Sequence, residues 1–219
     1  MTTYMDPVLF KAAEAGNIGP FENDQTCLNQ LFTPDENTIL HVCLGNQSSE
    51  PESTYFVDKI LEMCPPLLLQ ANKKGEIPLH LAARYGHSNV VRVLIDRARA
   101  RPTDPESGVT EAKKMLRMTN VEQDTALHEA ARNRRGHVVE ILTKEDPYFS
   151  YSANVHEETP LYIAASIVSR PSKELRKVVN EILRNCISVD YGGPNGRTAL
   201  HGSSAVGDHG RILCSSLEN

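Results

Sequence analysis

Eight histidines and five cysteines are the residues of this 219-residue chain whose side chains could hold a metal, act as a nucleophile or carry a proton. Their spacing argues against all three roles. His41, His80, His128 and His201 each stand three positions after Thr38, Ile77, Thr125 and Thr198, and Tyr162 fills the same place after Thr159. The intervals along that series are 39, 48, 34 and 39 residues. One imidazole per interval cannot gather around a single ion, because packed helices lie about 8–10 Å apart and a zinc–nitrogen bond is about 2 Å. The spacing fits a structural imidazole that joins a turn to the start of a helix by hydrogen bonds. His87 and His137 read as turn residues of the same kind. Cys27, Cys43, Cys64, Cys186 and Cys214 contain no CxxC pair, so a zinc framework is not expected. His41 and Cys43 are two apart on one helix and face different ways, which excludes a thiolate–imidazole couple. These cysteines read as small buried hydrophobes of a reducing compartment. Gly192-Gly193-Pro194-Asn195-Gly196 lacks the lysine and the preceding strand of a phosphate loop. No catalytic residue, no metal and no cofactor is expected.

The elements that carry these residues repeat. Gly75-Glu76-Ile77-Pro78-Leu79-His80-Leu81-Ala82-Ala83-Arg84-Tyr85-Gly86-His87 recurs around Thr125 to Ala131, Thr159 to Ala165 and Thr198 to His201, and in a weaker form around Thr38 to Cys43. Asn72-Lys73-Lys74-Gly75 predicts a tight turn, since Asn and Gly accept left-handed backbone angles. The threonine is placed to cap the helix, its hydroxyl accepting from an amide of the first turn. Pro78 and Pro160 occupy the first helical position, where a missing N–H costs nothing. Gly86 stands where the first helix must end with positive φ. Val90, Val91, Leu94 and Ile95 then give a second helix one apolar face. A single hairpin of this kind cannot bury that face, so three or more must stack.

This is the residue pattern of ankyrin repeats, which the chain resembles from about Asp6 to about Leu213. The resemblance implies an all-α solenoid of helix–turn–helix units with finger turns, and a concave binding face made of finger tips and first helices. The expected layout is a single array over 6–217. It comprises an N-terminal cap at about 6–30, repeats at about 35–65, 71–98, 119–144, 153–186 and 192–217, and an insertion at 99–117. A narrower likeness rests on Glu106-Ser107-Gly108 with Leu116 to Asn120, on Glu145-Asp146-Pro147 with Tyr151 to Asn154, and on Tyr191 to His201. In these stretches the chain looks like the plant ankyrin–transmembrane proteins of the accelerated-cell-death type. That likeness implies defence or cell-death signalling at a membrane, with membrane helices following the array. The last copy departs from the pattern, because Arg211, Ser215 and Ser216 fall where Val90, Leu94 and Ile95 do in the second. The chain therefore reads as a form cut short before its membrane part, fraying after about Leu200.

Three other departures carry expectations. Between Asp96 and Met118 the insertion opens with Arg97, Arg99 and Arg101 and continues as a short helix from about Glu106 to Arg117. It reads as a solvated loop or as a basic patch, with Lys113, Lys114 and Arg117, for an acidic partner or lipid headgroups. In the third copy Arg134 stands where Gly86 stands, a poor residue for positive φ, so Asn133 is expected to take that geometry. In the fourth, Pro171 lies inside a lengthened turn between the two helices.

Binding residues are expected at exposed, variable positions. On finger tips these are Lys73, Lys74, Glu76, Glu122, Gln123, His156, Glu157, Asn195 and Arg197, and on first-helix ends Arg84, Tyr85, Arg132 and Asn133. Tyr and Arg are frequent interface anchors. The remaining motif residues, Thr38, His41, Pro78, His80, Gly86, Thr125, His128, Thr159, Pro160, Thr198 and His201, are expected to be structural. Lys and Arg number 23 against 28 Asp and Glu, a net charge of −5, which disfavours nucleic acid as the main partner. The opening residues lack the apolar core of a signal peptide, and no run reaches the ~18 apolar residues of a membrane span. As written, the chain reads as cytoplasmic, with a protein as its partner. The cytoplasmic face of a plasma membrane or endomembrane is implied for longer relatives.

Overall fold

A computed structural model describes residues 3–22, 27–45, 54–103, 108–166 and 173–205. The chain divides into two compact units, Met1–Met115 and Leu116–Asn219. Both are built from short helices joined by turns.

In the first unit, α1 (Pro7–Ala15) is opened by Asp6, whose Oδ1 accepts the amides of Val8 and Leu9 at 2.7 and 2.9 Å. It is closed by Gly16 at φ 66°. A four-residue helix α2 (Gly19–Glu22) follows. The first helices α1, α3 (Ile39–Gly45) and α5 (Pro78–Tyr85) pack in that order. The second helices α4 (Tyr55–Met63) and α6 (Ser88–Arg99) pack on each other. Gly86, at φ 83°, ends α5 as expected, and its N–H donates the helix-ending hydrogen bond to Ala82 O. Val90, Val91, Leu94, Ile95 and Ala98 form the buried face of α6. Each such Val, Leu or Ile contributes roughly 1.5–3 kcal/mol once covered. A two-residue parallel pairing of β1 (Thr3–Tyr4) with β2 (Leu31–Phe32) ties down the N-terminus.

The insertion contributes the helix α7 (Glu111–Arg117), in which the division between units falls. Its expected start at Glu106 lies outside the described residues. Ala112, Met115 and Leu116 are buried, so this segment carries an apolar stripe at helical spacing rather than a wholly solvated loop. Its guanidiniums are engaged within the fold. Arg97 bonds Asp58 at 2.7 Å, Arg101 reaches Glu111 and the carbonyl of Pro65, and Arg117 bonds Asp146 at 2.7 Å while lying over Phe149. Three of the six cations expected in a basic patch, Arg97, Arg101 and Arg117, are thus held in internal pairs.

In the second unit, the first helices α8 (Ala126–Arg132), α10 (Pro160–Ser166) and α12 (Ala199–Ala205) pack in order, and the second helices α9 (Gly136–Glu145) and α11 (Lys173–Asn185) pack on each other. Leu175, Val178, Val179 and Ile182 are the buried side of α11. The turn after α8 corrects one expectation. Asn133 sits at φ −96°, and Arg134 itself adopts φ 57°. The helix must end in the left-handed region at that place in the chain, and the position overrides the residue type. Pro171 and the residues after Ala205, including the whole of the expected C-terminal fraying apart from its first few positions, lie outside the described residues.

Candidate functional site

The finger turns are built from a recurring set of hydrogen bonds. Asn72 Oδ1 accepts the amides of Lys74 and Glu76 at 2.9 and 3.0 Å. Asn120 does the same for Glu122 and Asp124, and Asn154 for His156 and Glu158, all between 2.9 and 3.0 Å. Two residues before the threonine position the backbone always turns left-handed. Glycine supplies this at Gly75 and Gly196, but Glu36, Gln123 and Glu157 adopt it with side chains attached, at φ 59°, 59° and 61°. That geometry costs each of them about 1 kcal/mol, which the surrounding hydrogen bonds offset.

The histidines act where the finger meets the helix. The backbone N–H of Thr38, Ile77, Thr125 and Thr198 points at Nδ1 of His41, His80, His128 and His201, at 3.1 to 3.2 Å. A backbone amide only donates, so Nδ1 is the acceptor and the ring proton sits on Nε2. The three threonine hydroxyls also lie 2.7 to 2.9 Å from Nδ1. They donate to the ring, a role beyond the helix cap expected of these threonines. His41 Nε2 then donates to the carbonyl of Glu76 in the next finger at 2.7 Å. Burial pushes the pKa of His41 and His128 down to about 4, so both are neutral near pH 7.

The tyrosine copy solves the same problem differently. With no ring nitrogen available, Thr159 Oγ1 accepts the amide of Tyr162 at 3.2 Å and donates to the carbonyl of Gly192 at 2.8 Å. One hydroxyl thus caps the helix and links to the next finger. The bulk of Tyr162 has to go somewhere, and it lies against Gly193. A Cβ at residue 193 would meet the tyrosine ring at 2.1 Å. Gly193 occupies the place held by Asn72, Asn120 and Asn154 in other fingers, so the larger ring displaces the asparagine from the following turn. The two amides that an asparagine would take find other acceptors: Asn195 N–H donates to Glu157 Oε2 at 2.9 Å and Arg197 N–H to Pro194 O at 3.1 Å.

The first-helix arginines belong to a second recurring device. Arg84 pairs with Glu76, and Arg132 makes two bonds to Asp124 at 2.6 and 3.2 Å. Burial alone would raise both carboxyls. Hydrogen bonds from Asn72 and Arg84 on Glu76, and from Arg132 and Asn154 on Asp124, outweigh it and hold both below the usual carboxylate range. Glu76 was expected at an exposed tip and is instead 4% exposed, because it faces this arginine. Arg84, Tyr85, Arg132 and Asn133 are all half-buried. Tyr85 stacks on His87 with ring centroids 6.0 Å apart, and Asn133 donates to Glu129 O at 2.9 Å.

Lys73, Lys74, Glu122, Gln123, His156, Glu157, Asn195 and Arg197 are exposed. Backbone bonds set neighbouring tips side by side. Lys73 N–H donates to Asp35 O at 3.1 Å, and Val155 N–H to Glu122 O at 3.0 Å. Asn195 N–H donates to Glu157 Oε2 at 2.9 Å, and His156 lies 3.2 Å from Glu122. Val121 and Val155 are also exposed, at 62% and 47%. They occupy one position in adjacent fingers, and comparing that position across copies would have found them. The buried thiols of Cys43 and Cys186 are not poised for attack: burial pushes Cys43 up to about 12 and Cys186 up to about 11.

Comparison with known proteins follows the same lines. A family model described as "Ankyrin repeats (3 copies)" matches residues 9–107. An Arabidopsis thaliana protein, "Putative E3 ubiquitin-protein ligase XBAT31", is 31% identical over 183 residues, covering 68% of this chain and 39% of that protein. This chain thus spans well under half the length of that curated relative. Among solved structures, the ankyrin repeat protein EF0377 superposes with TM-score 0.71 at 17% identity, over 97% of this chain and 98% of that one. An ankyrin repeat domain (ABAYE2397) from Acinetobacter baumannii AYE gives TM-score 0.70 at 16% identity, over 95% and 97%. A chain from the complex of the Bd0816 predatory endopeptidase of Bdellovibrio bacteriovorus with the immunity protein Bd3460 gives 0.67 at 18%, over 96% and 98%.

Proposed function

Because this chain is an ankyrin-repeat protein, we propose that it works as a non-catalytic protein–protein interaction module that reads its partner with finger tips and first-helix ends. The observation that carries this reading is the division of labour inside the fingers that open at Asn72 and Asn120. Asn, His, the acidic residue before the threonine position and the helix-end Arg spend their polar atoms on one another. The tip residues Lys73, Gln123, His156, Glu157 and Arg197 stand exposed on a backbone those bonds hold. A partner would meet side chains whose supporting loop is already ordered, so little entropy is lost on binding. The half-buried Arg84 and Arg132 would contribute from the helix ends beside those tips.

The finer reading is defence or cell-death signalling in a plant. The likeness of Tyr191 to His201 and of Leu116 to Asn120 to the plant ankyrin–transmembrane proteins supports it, as does the Arabidopsis relative. We place the module in the cytoplasm, or on the cytoplasmic face of a membrane where longer relatives are anchored. No helix among the described residues is long and apolar enough to cross a membrane. A second reading is that the array is the cytosolic part of a membrane-anchored signalling or channel-like protein.

Affinity capture from plant extract tests the proposal. The wild-type chain is compared with a variant carrying Gln123→Ala, Glu157→Ala and Arg197→Ala. The module reading expects named partners to be lost from the variant while its thermal unfolding stays within a few degrees of wild type. An identical partner list from both proteins would contradict it.

A further inference from the structure

We propose that the first unit carries a groove for an acidic peptide segment with an apolar anchor, a choice of partner that rests on the protein-binding reading above. A cavity of about 520 Å³ opens on this unit, within the range of about 300–1,000 Å³ in which specific ligand sites fall. Its apolar wall is made by Phe10, Val42 and Leu81, one residue from each of the packed first helices α1, α3 and α5. Its polar rim is the pair of finger turns around Asp35 and Lys73-Lys74.

Charge decides the kind of occupant. Four ionisable side chains other than His41 line the groove: Asp35, Lys73, Lys74 and Glu76. Glu76 is buried and paired with Arg84, and Asn72 bonds its other oxygen. Its charge is therefore answered inside the fold. His41 is neutral, its two ring nitrogens committed to Thr38 and to the carbonyl of Glu76. What faces solvent at the rim is two ammonium groups against the single carboxylate of Asp35. Both lysines are exposed, and among the described residues neither is in an ion pair.

The lysine backbones are nonetheless held. Lys73 N–H donates to Asp35 O at 3.1 Å and Lys74 N–H to Asn72 Oδ1 at 2.9 Å. Asn72 is itself fixed to Asn37 across the fingers at 2.9 Å. Two mobile cationic heads on an immobile base, over an apolar floor, suit a segment in which Asp or Glu flanks a Leu, Ile or Phe side chain. The second unit's tips are different in kind, with Glu122 and Glu157 exposed beside Val121 and Val155.

Selection of a displayed library of random dodecapeptides on the whole chain tests this directly. We expect recovered sequences rich in Asp and Glu around one large apolar residue. Their affinity should fall at least tenfold in a Lys73→Glu, Lys74→Glu double variant and drop with added salt. It should stay within twofold in Glu122→Lys. Both sets change exposed side chains, so melting curves matching wild type establish that each variant is folded. Binders without acidic bias, or binders indifferent to the lysine changes but lost in Glu122→Lys, would overturn the groove and leave the protein-binding reading standing. Failure to recover any binder while full-length partners are still captured through the finger tips would likewise overturn it.

Discussion

The turn at Thr125 and His128 and the turn at Thr159 and Tyr162 perform one task with different chemistry. In the first, the imidazole collects the backbone N–H and the hydroxyl of Thr125 on Nδ1. In the second, the threonine hydroxyl caps the helix itself and reaches the next finger's carbonyl. The consequence is felt one finger later, where Asn154 follows the histidine but Gly193 follows the tyrosine. Exchange at one position of a repeat is therefore not local. The side chain that links two fingers also decides how much room the second finger has.

The strongest way to break that comparison is Gly193→Ala. Gly193 has an extended backbone, φ −159°, so alanine would meet no backbone penalty, only the ring of Tyr162 at 2.1 Å. A loss of about 3 kcal/mol is expected from such overpacking, read as a shift in urea midpoint. Adding Tyr162→His should recover most of it, since the imidazole leaves the space that other fingers fill with asparagine. If the double variant were no more stable than Gly193→Ala alone, the coupling between the two positions would not exist.

The acid–arginine pair gives a second contrast. Asp124 is buried and bonded by Arg132 and Asn154, whereas Glu158 is half-buried and 3.7 Å from the same arginine. Asp124→Asn should cost about 1–2 kcal/mol, a figure discounted because Arg132 is partly exposed. Glu158→Gln should cost less than about 0.5 kcal/mol. Equal midpoints for the two variants would show that burial of Asp124 adds nothing.

The pH dependence separates the histidine copies from the tyrosine copy. The unfolded imidazole binds a proton below pH 6.5, and folded His41 and His128 do so only near pH 4. Between those values the unfolded chain holds more protons, so stability falls as the solution is acidified through that window and is at its full value above it. Each histidine should cost about 1 kcal/mol by pH 5.5. The depressed carboxyls of Asp124 and Glu76 add a further loss only at still lower pH. A His128→Gln variant should flatten the pH 4–6.5 limb of the melting profile. One expected effect is a gain. Arg134→Gly relieves a side chain at φ 57° and should raise stability by about 0.5–1 kcal/mol.

The sequence was readable wherever one residue type answers one local demand. Gly86 had to end a helix, Val90 to Ile95 had to be covered, and four imidazoles at one register could only be structural. It was silent where the partner of a residue lies in another turn. Nothing local says that Glu76 turns inward to Arg84, that Tyr162 requires Gly193, or that Arg134 accepts a left-handed backbone. Each of those depends on which side chains the folded turns bring together. The exposed tips Gln123 and Glu157 were legible as surface, and their positive φ was not, because nothing in a Gln or Glu announces it.

The neutral, bridging imidazole underlies the reading of this chain as a binding scaffold rather than an enzyme. Long-range ¹H–¹⁵N NMR of ¹⁵N-histidine-labelled protein observes it most directly. His41 and His128 should show protonated Nε2 and unprotonated Nδ1 at neutral pH, unchanged until the solution approaches pH 4 or the fold is lost. Either ring titrating near 6.5 in the folded protein, or carrying its proton on Nδ1, would contradict the hydrogen bonds on which the histidine-bearing fingers depend.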